Sequence, residues 1–176
     1  ASRSEVLNFP ATYYYTPAVF AVHEDSTLTV PQLSGKTICT TAASTWEMYL
    51  QGDLDMLNAP AFTYDVTPGT ITSLVDGAAC LDDVRLGAGV RNDGMMDSLP
   101  MVLEAIDADY PIKVLGDPGF YEPLSLATDK QYDDPELDAE LARIITEMQK
   151  DYTLSLLSIQ HFKNADGSSA DYTIAY

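Results

Sequence analysis

The chain has few groups that could cross-link it, bind metal or offset its acidity. Two cysteines, Cys39 and Cys80, permit one disulfide at most. They form no Cys-x-x-Cys pair, and with two histidines and no His-Glu-x-x-His run there is no metal-ligand pattern. No metal and no cofactor is therefore expected. Nine Lys and Arg stand against 27 Asp and Glu, a formal net charge of −18. Such a surface repels phosphate backbones and argues against nucleic acid as a partner. No apolar run approaches the roughly 18 residues of a membrane helix. No basic, apolar leader opens the sequence, which fits a mature exported chain or a piece of a longer one. Internal repeats and low-complexity tracts are absent as well.

What is present suits a globular α/β protein. The 176 residues, 46% of them hydrophobic, are enough for one large or two small domains with a real core. Cys39 falls in a predicted core strand and Cys80 near a helical segment. Export would permit a bond between them, but two separate buried thiols are the expectation. His23 ends a strand and His161 lies in a terminal helix, so both read as structural.

The most informative stretch is Gly35-Lys36-Thr37-Ile38-Cys39-Thr40-Thr41-Ala42-Ala43-Ser44-Thr45-Trp46-Glu47-Met48-Tyr49-Leu50. Thr37 to Thr40 suit a pleated, half-buried strand. Ser44 or Thr45 is a strong helix N-cap, and Glu47 stands where a capping box would place it. Free backbone N–H groups at such a start favour an anion, for example a ligand carboxylate or phosphate. An ordinary strand-to-helix junction with a good cap is the plainer reading of the same residues.

Around this stretch, strands are predicted at 17–23, 36–41, 60–66, 93–97, 111–115 and 121–127. Helices are predicted at 45–52, loosely from Pro68-Gly69 to about 87, and at 99–107, 135–151 and 153–163. Gly116-Asp117-Pro118-Gly119 punctuates the chain. Leu137, Leu141, Ile144, Ile145 and Met148 recur at helical spacing and make one apolar face. Strands alternating with helices give an α/β class with a mainly parallel sheet.

Four motifs, in order, carry a resemblance. The first is Arg3 followed by Phe9 and the Tyr13-Tyr14-Tyr15 run. The second is the Lys36–Thr45 turn, and the third is Arg91-Asn92-Asp93 running on to Leu99-Pro100. The fourth is the return strand Phe120-Tyr121-Glu122-Pro123. Together they resemble the extracellular solute-binding proteins of ABC importers, in the polar amino-acid-binding group. The resemblance implies a type II periplasmic-binding-protein-like α/β fold, with one complete lobe plus the C-terminal part of the other. Residues 1–22 would end the first lobe and form a crossover strand. Residues 23–114 would be the second lobe, and 115–176 the second crossover with the closing helices of the first lobe. Most of the first lobe normally precedes the position of Ala1.

The same resemblance implies a ligand set. Arg3, six residues before Phe9, would hold a ligand carboxylate bidentately. Ser44 and Thr45 would grip that carboxylate from the other lobe. Asp97 or Ser98 would face the ligand's amino group, although the matching position is Ser98 and Asp97 falls one residue short. Asp93 reads as structural. Tyr14 and Tyr121, at the two crossovers, would line the cleft, with core packing open for at least one of the consecutive tyrosines. Trp46 reads as core. The implied function is capture of an amino acid or similar small carboxylate, without catalysis, in the periplasm or outside the cell, for a membrane permease. An enzyme like the periplasmic cyclohexadienyl dehydratases, with Glu122 or Asp97 as its acid, is one rival. A receptor's sensory domain is the other.

Overall fold

The computed structural model describes residues 2–56, 62–132 and 134–173. It divides into two compact units, residues 1–16 with 121–176 and residues 17–120, each described by itself.

Residues 17–120 are built around a five-stranded sheet in the order β4-β3-β5-β2-β6. The strands are β2 (Thr12–His23), β3 (Thr37–Thr41), β4 (Thr70–Leu74), β5 (Gly94–Ser98) and β6 (Ile112–Ser125). β3 pairs in parallel with β4 and with β5, while β5 runs antiparallel to β2. Helices α2 (Thr45–Gln51), α3 (Gly77–Val84) and α4 (Leu99–Asp107) alternate with them. Phe20, Val22, Leu33, Ile38, Tyr49 and Met96 form the centre of the core, each at most 1% exposed. Aromatic rings continue it: Tyr49 lies 5.1 Å from both Tyr64 and Phe120. Trp46 is half-buried against this core, as expected.

Residues 1–16 and 121–176 hold α1 (Ser2–Val6), β1 (Leu7–Asn8), β7 (Thr128–Asp129), α5 (Pro135–Lys150) and α6 (Thr153–His161). β1 and β7 form a short antiparallel pair. Asp138 of α5 secures it by accepting from Asn8 Nδ2 at 2.9 Å and Thr128 Oγ1 at 2.6 Å. Tyr14, Leu154, Ala170 and Tyr172 are the buried apolar residues of this unit among those described. The apolar stripe of α5 forms at the predicted spacing, yet no residue of α5 is buried, and Leu137 and Ile144 are exposed.

The structure corrects three expectations about elements and one about sulfur. Residues 62–66 are not a strand, and 60–61 lie outside the described residues. The strand beside β3 is β4, where the sequence suggested helix. Its Thr-Ile-Thr-Ser-Leu pattern is β-branched and alternating, and the helical signal from 77 onward masked it. Gly116 to Gly119 do not end a strand. β6 runs unbroken for 14 residues through them, with Gly116 at φ +73, a conformation open to glycine. Cys39 and Cys80 are not separate thiols but are disulfide-bonded, their Cα atoms 5.6 Å apart.

Candidate functional site

The parallel strands β4, β3 and β5 all end at one edge of the sheet. The register sets Thr41 of β3 beside Leu74 of β4 and Cys39 beside Met95 of β5. Thr40 Oγ1 extends the alignment by donating to the Met96 carbonyl at 3.1 Å. Each strand then hands directly to a helix: Thr41 to α2, Leu74 to α3 and Ser98 to α4. Three helix starts therefore stand along the carboxyl ends of three parallel strands. In open α/β sheets this is the edge where ligands bind. A cavity of about 210 Å³ lies elsewhere, at the amino end of β3, lined by residues including Asp25, Lys36 and Asp93.

Ser44 is the N-cap of α2, as predicted. Its hydroxyl accepts from the Glu47 N–H at 3.1 Å and donates to the Thr41 carbonyl at 2.6 Å. Thr45, half-buried, is the first residue of the helix. Glu47 folds back, but past the N-cap that a capping box would use. Its Oε2 accepts from the Ala43 N–H at 2.6 Å, and its Oε1 accepts from the Ser73 hydroxyl of β4. Ala43 makes this possible by adopting φ +56. Sequence reasoning placed Glu47 correctly but not its partners, since Ser73 belongs to the strand that was missed.

Asp97 and Ser98 sit at the next strand end. Ser98 is half-buried, pairs with Ala18 and caps α4 through its backbone geometry. Asp97 is 3% exposed, and its Oδ1 accepts from the Ser98 N–H at 2.7 Å. Its other oxygen lies against Gly77, the first residue of α3. A Cβ on Gly77 would collide with that oxygen and with the Met101 sulfur. The Asp97 carboxylate thus rests beside the start of α3, a favourable place for a negative charge. Asp93 has the structural task expected of it: Oδ2 accepts from the Thr37 N–H at 2.9 Å, at the head of β3. Arg91 pairs with Asp83 of α3.

The remaining sequence candidates lie in the other unit. Arg3 is exposed on α1. Tyr14 is 7% exposed, stacked on Phe162 at 4.5 Å with Tyr172 edge-on at 6.0 Å. Burial, reinforced by Tyr172, pushes the Tyr14 phenol well above its ordinary range. Tyr121 is half-buried, 6.4 Å from the Tyr172 ring. Glu122 is half-buried. No cluster of three or more His, Cys, Asp or Glu side chains suited to a metal occurs among the described residues.

No family model matches the chain. It is 28% identical over 163 residues to the probable amino-acid-binding protein YxeM of Bacillus subtilis. That match takes in 91% of this chain and 57% of YxeM, so the chain spans little more than half the length of this relative. Among solved structures, the substrate-binding protein of an amino acid ABC transporter superposes with a TM-score of 0.70 at 18% identity. The overlap covers 93% of this chain and 67% of that one. The probable amino-acid ABC transporter extracellular-binding protein ytmK of Bacillus subtilis gives 0.70 at 17% identity, over 92% and 66%. The resemblance read from the ordered motifs therefore holds in both comparisons, and the proteins matched are named as binding proteins. The chain has the type II periplasmic-binding-protein fold of amino acid ABC transporter binding proteins, over about 67% of the length of such a chain.

Proposed function

We propose that this chain captures an α-amino acid or similar small carboxylate outside the cytoplasm and delivers it to the membrane permease of an ABC importer. The observation that carries the reading is the likeness to an amino-acid-binding protein along 91% of the chain. The site geometry supports it, because Ser44 and the α2 start stand at the ligand-binding edge of the sheet. Ser44 and Thr45 take the ligand carboxylate through backbone N–H groups and the Thr45 hydroxyl, the Ser44 O–H being given to the Thr41 carbonyl. Arg3 is a second contact to that carboxylate, drawn from its spacing to Phe9. Asp97 or Ser98 faces the amino group, and Tyr121 is a further contact. Tyr14, packed on Phe162 and Tyr172, takes the core role left open for one of the consecutive tyrosines.

The ligand works by differential affinity. Contacts made in the ligand-bound form and missing in the free form shift the population toward the state a permease recognises. The test is titration of the ¹⁵N-labelled chain with each common L-amino acid. Saturable shifts of the Ser44 and Thr45 amides with one or a few of them are expected. No amide response to any of them ends the reading.

A further inference from the structure

The best-defined chemical feature outside the candidate site is the bond between Cys39 and Cys80. It joins β3, the strand leading to Ser44, to α3 on the sheet's face. Both residues are 0% exposed, and no described cysteine is free. We propose that this is a modification installed by thiol–disulfide exchange with a disulfide-bearing oxidant outside the reducing cytosol, before the core closes over the two sulfurs. The location rests on the importer reading. The timing rests on burial alone.

The exchange balances without any group beyond that oxidant. The Cys39 or Cys80 thiolate attacks one sulfur of the oxidant's disulfide and expels the other as a thiolate. The second cysteine's thiolate then attacks the mixed disulfide and expels the oxidant's remaining sulfur. The chain's two thiols lose two protons and two electrons, and the oxidant gains two thiols. Each attack needs an in-line approach to an accessible sulfur. In the folded unit neither sulfur can be approached, so the exchange belongs to an unfolded or opened chain. The same burial makes the finished bond a structural one, inert toward outside thiols, unlike the exposed bonds that serve as redox switches.

Its placement gives it a task. β3 and α3 are held covalently at Cys39 and Cys80, while the Asp97 carboxylate of β5 rests beside the Gly77 end of the same helix. Two attachments, one covalent and one electrostatic, thus fix α3 against the two strands whose ends carry the candidate site. The closed loop has a sequence separation of 41. A loop of this size constrains the unfolded chain strongly.

The test begins with the chain exported from bacterial cells, denatured without reductant and treated with iodoacetamide. No adduct is expected, and two adducts only after reduction. Two adducts without reduction overturn the proposal, whatever the amino-acid titrations show. A second arm compares dithiothreitol acting on the folded chain and on the chain in urea. Bond loss at least tenfold slower in the folded chain is expected, and equal rates overturn the claim that burial protects it. A third arm melts the reduced, alkylated chain and the Cys39→Ala/Cys80→Ala variant. Each should melt about 5–15 °C lower than the parent or fail to fold. Unchanged melting of both removes the structural task.

Discussion

Glu47 accepts the backbone N–H of Ala43 at 2.6 Å, closing a ring at the start of α2 with a carboxylate supplied by the chain itself. The same carboxylate takes the Ser73 hydroxyl and so ties the turn after β3 to the neighbouring strand. Glu47→Ala should therefore cost more than an ordinary surface change. About 1–3 kcal/mol is expected, because a charge-assisted bond and a cross-element tie are lost together. Ser73→Ala should lose only part of that, and the double variant should fall short of the sum. Urea unfolding of the three variants checks this. Additive losses would show that Glu47 and Ser73 act separately.

Ser44→Ala should cost about 1 kcal/mol through the lost cap. In combination with Thr45→Ala it should also reduce affinity for whichever amino acid the titrations identify. Hydrogen bonds to a charged group are worth about 1.5–3 kcal/mol each, so a loss of more than tenfold is expected. Reduced melting with unchanged affinity would return both residues to a purely structural role.

Gly77→Ala should destabilise the protein by about 1–3 kcal/mol, because its Cβ has no room beside Asp97 and Met101. Asp97→Ala in the same chain should recover part of the loss by vacating the space. The cycle isolates the contact between Gly77 and Asp97. If Gly77→Ala is harmless, the carboxylate does not rest where the structure puts it.

Tyr14 gives a prediction with pH. Its hydroxyl is buried and has no hydrogen-bond partner among the described residues. Burial raises the phenol's pKa in the folded state above its ordinary value of 10.0. The folded chain thus holds this proton more tightly than the unfolded one. Its contribution is intact below pH 10 and is lost progressively as pH rises above it. Tyr14→Phe should be neutral or stabilising by about 1 kcal/mol at neutral pH, since an unsatisfied hydroxyl is removed. It should also flatten the decline in stability above pH 10. A large loss of amino-acid affinity in Tyr14→Phe, with stability unchanged, would instead mark the hydroxyl as a ligand contact.

Arg3→Lys keeps the charge but loses the planar fork that a carboxylate accepts bidentately. If Arg3 holds the ligand carboxylate, affinity should fall at least tenfold, and Arg3→Ala should fall further. An exposed arginine with no ligand role tolerates both within about 0.5 kcal/mol. Isothermal titration of the three chains decides it.

Much of the fold was legible because local and tertiary signals agreed. Leu99–Asp107 is a helix with the predicted bounds, helped by Pro100 in its first turn. Ser44 caps α2 because a hydroxyl before an amphipathic run has few better uses. β4 was obscure because its five residues are short, and only pairing with β3 makes them a strand. The disulfide could not be read from two cysteines of unremarkable spacing, since their meeting depends on α3 lying across β3. The close approach of Asp97 to Gly77 was likewise hidden. It joins residues far apart in sequence, and a glycine at a helix start reads as ordinary. For the ligand set, motif order pointed to positions, but partners such as Ser73 come only with strand order.

The shared edge of β3, β4 and β5 has a consequence for how such a protein diversifies. Each strand there passes to its helix through a turn of at most three residues. The strands keep their register through backbone pairing and through core side chains below the turns. The turns are not independent, however. Glu47 ties the turn after β3 to Ser73 of β4, and Asp97 at the end of β5 rests against Gly77 at the start of α3. A substitution at one junction is therefore felt at its neighbour while the core beneath holds the register. Such an edge changes by linked pairs of positions, Glu47 with Ser73 and Gly77 with Asp97, rather than one turn at a time.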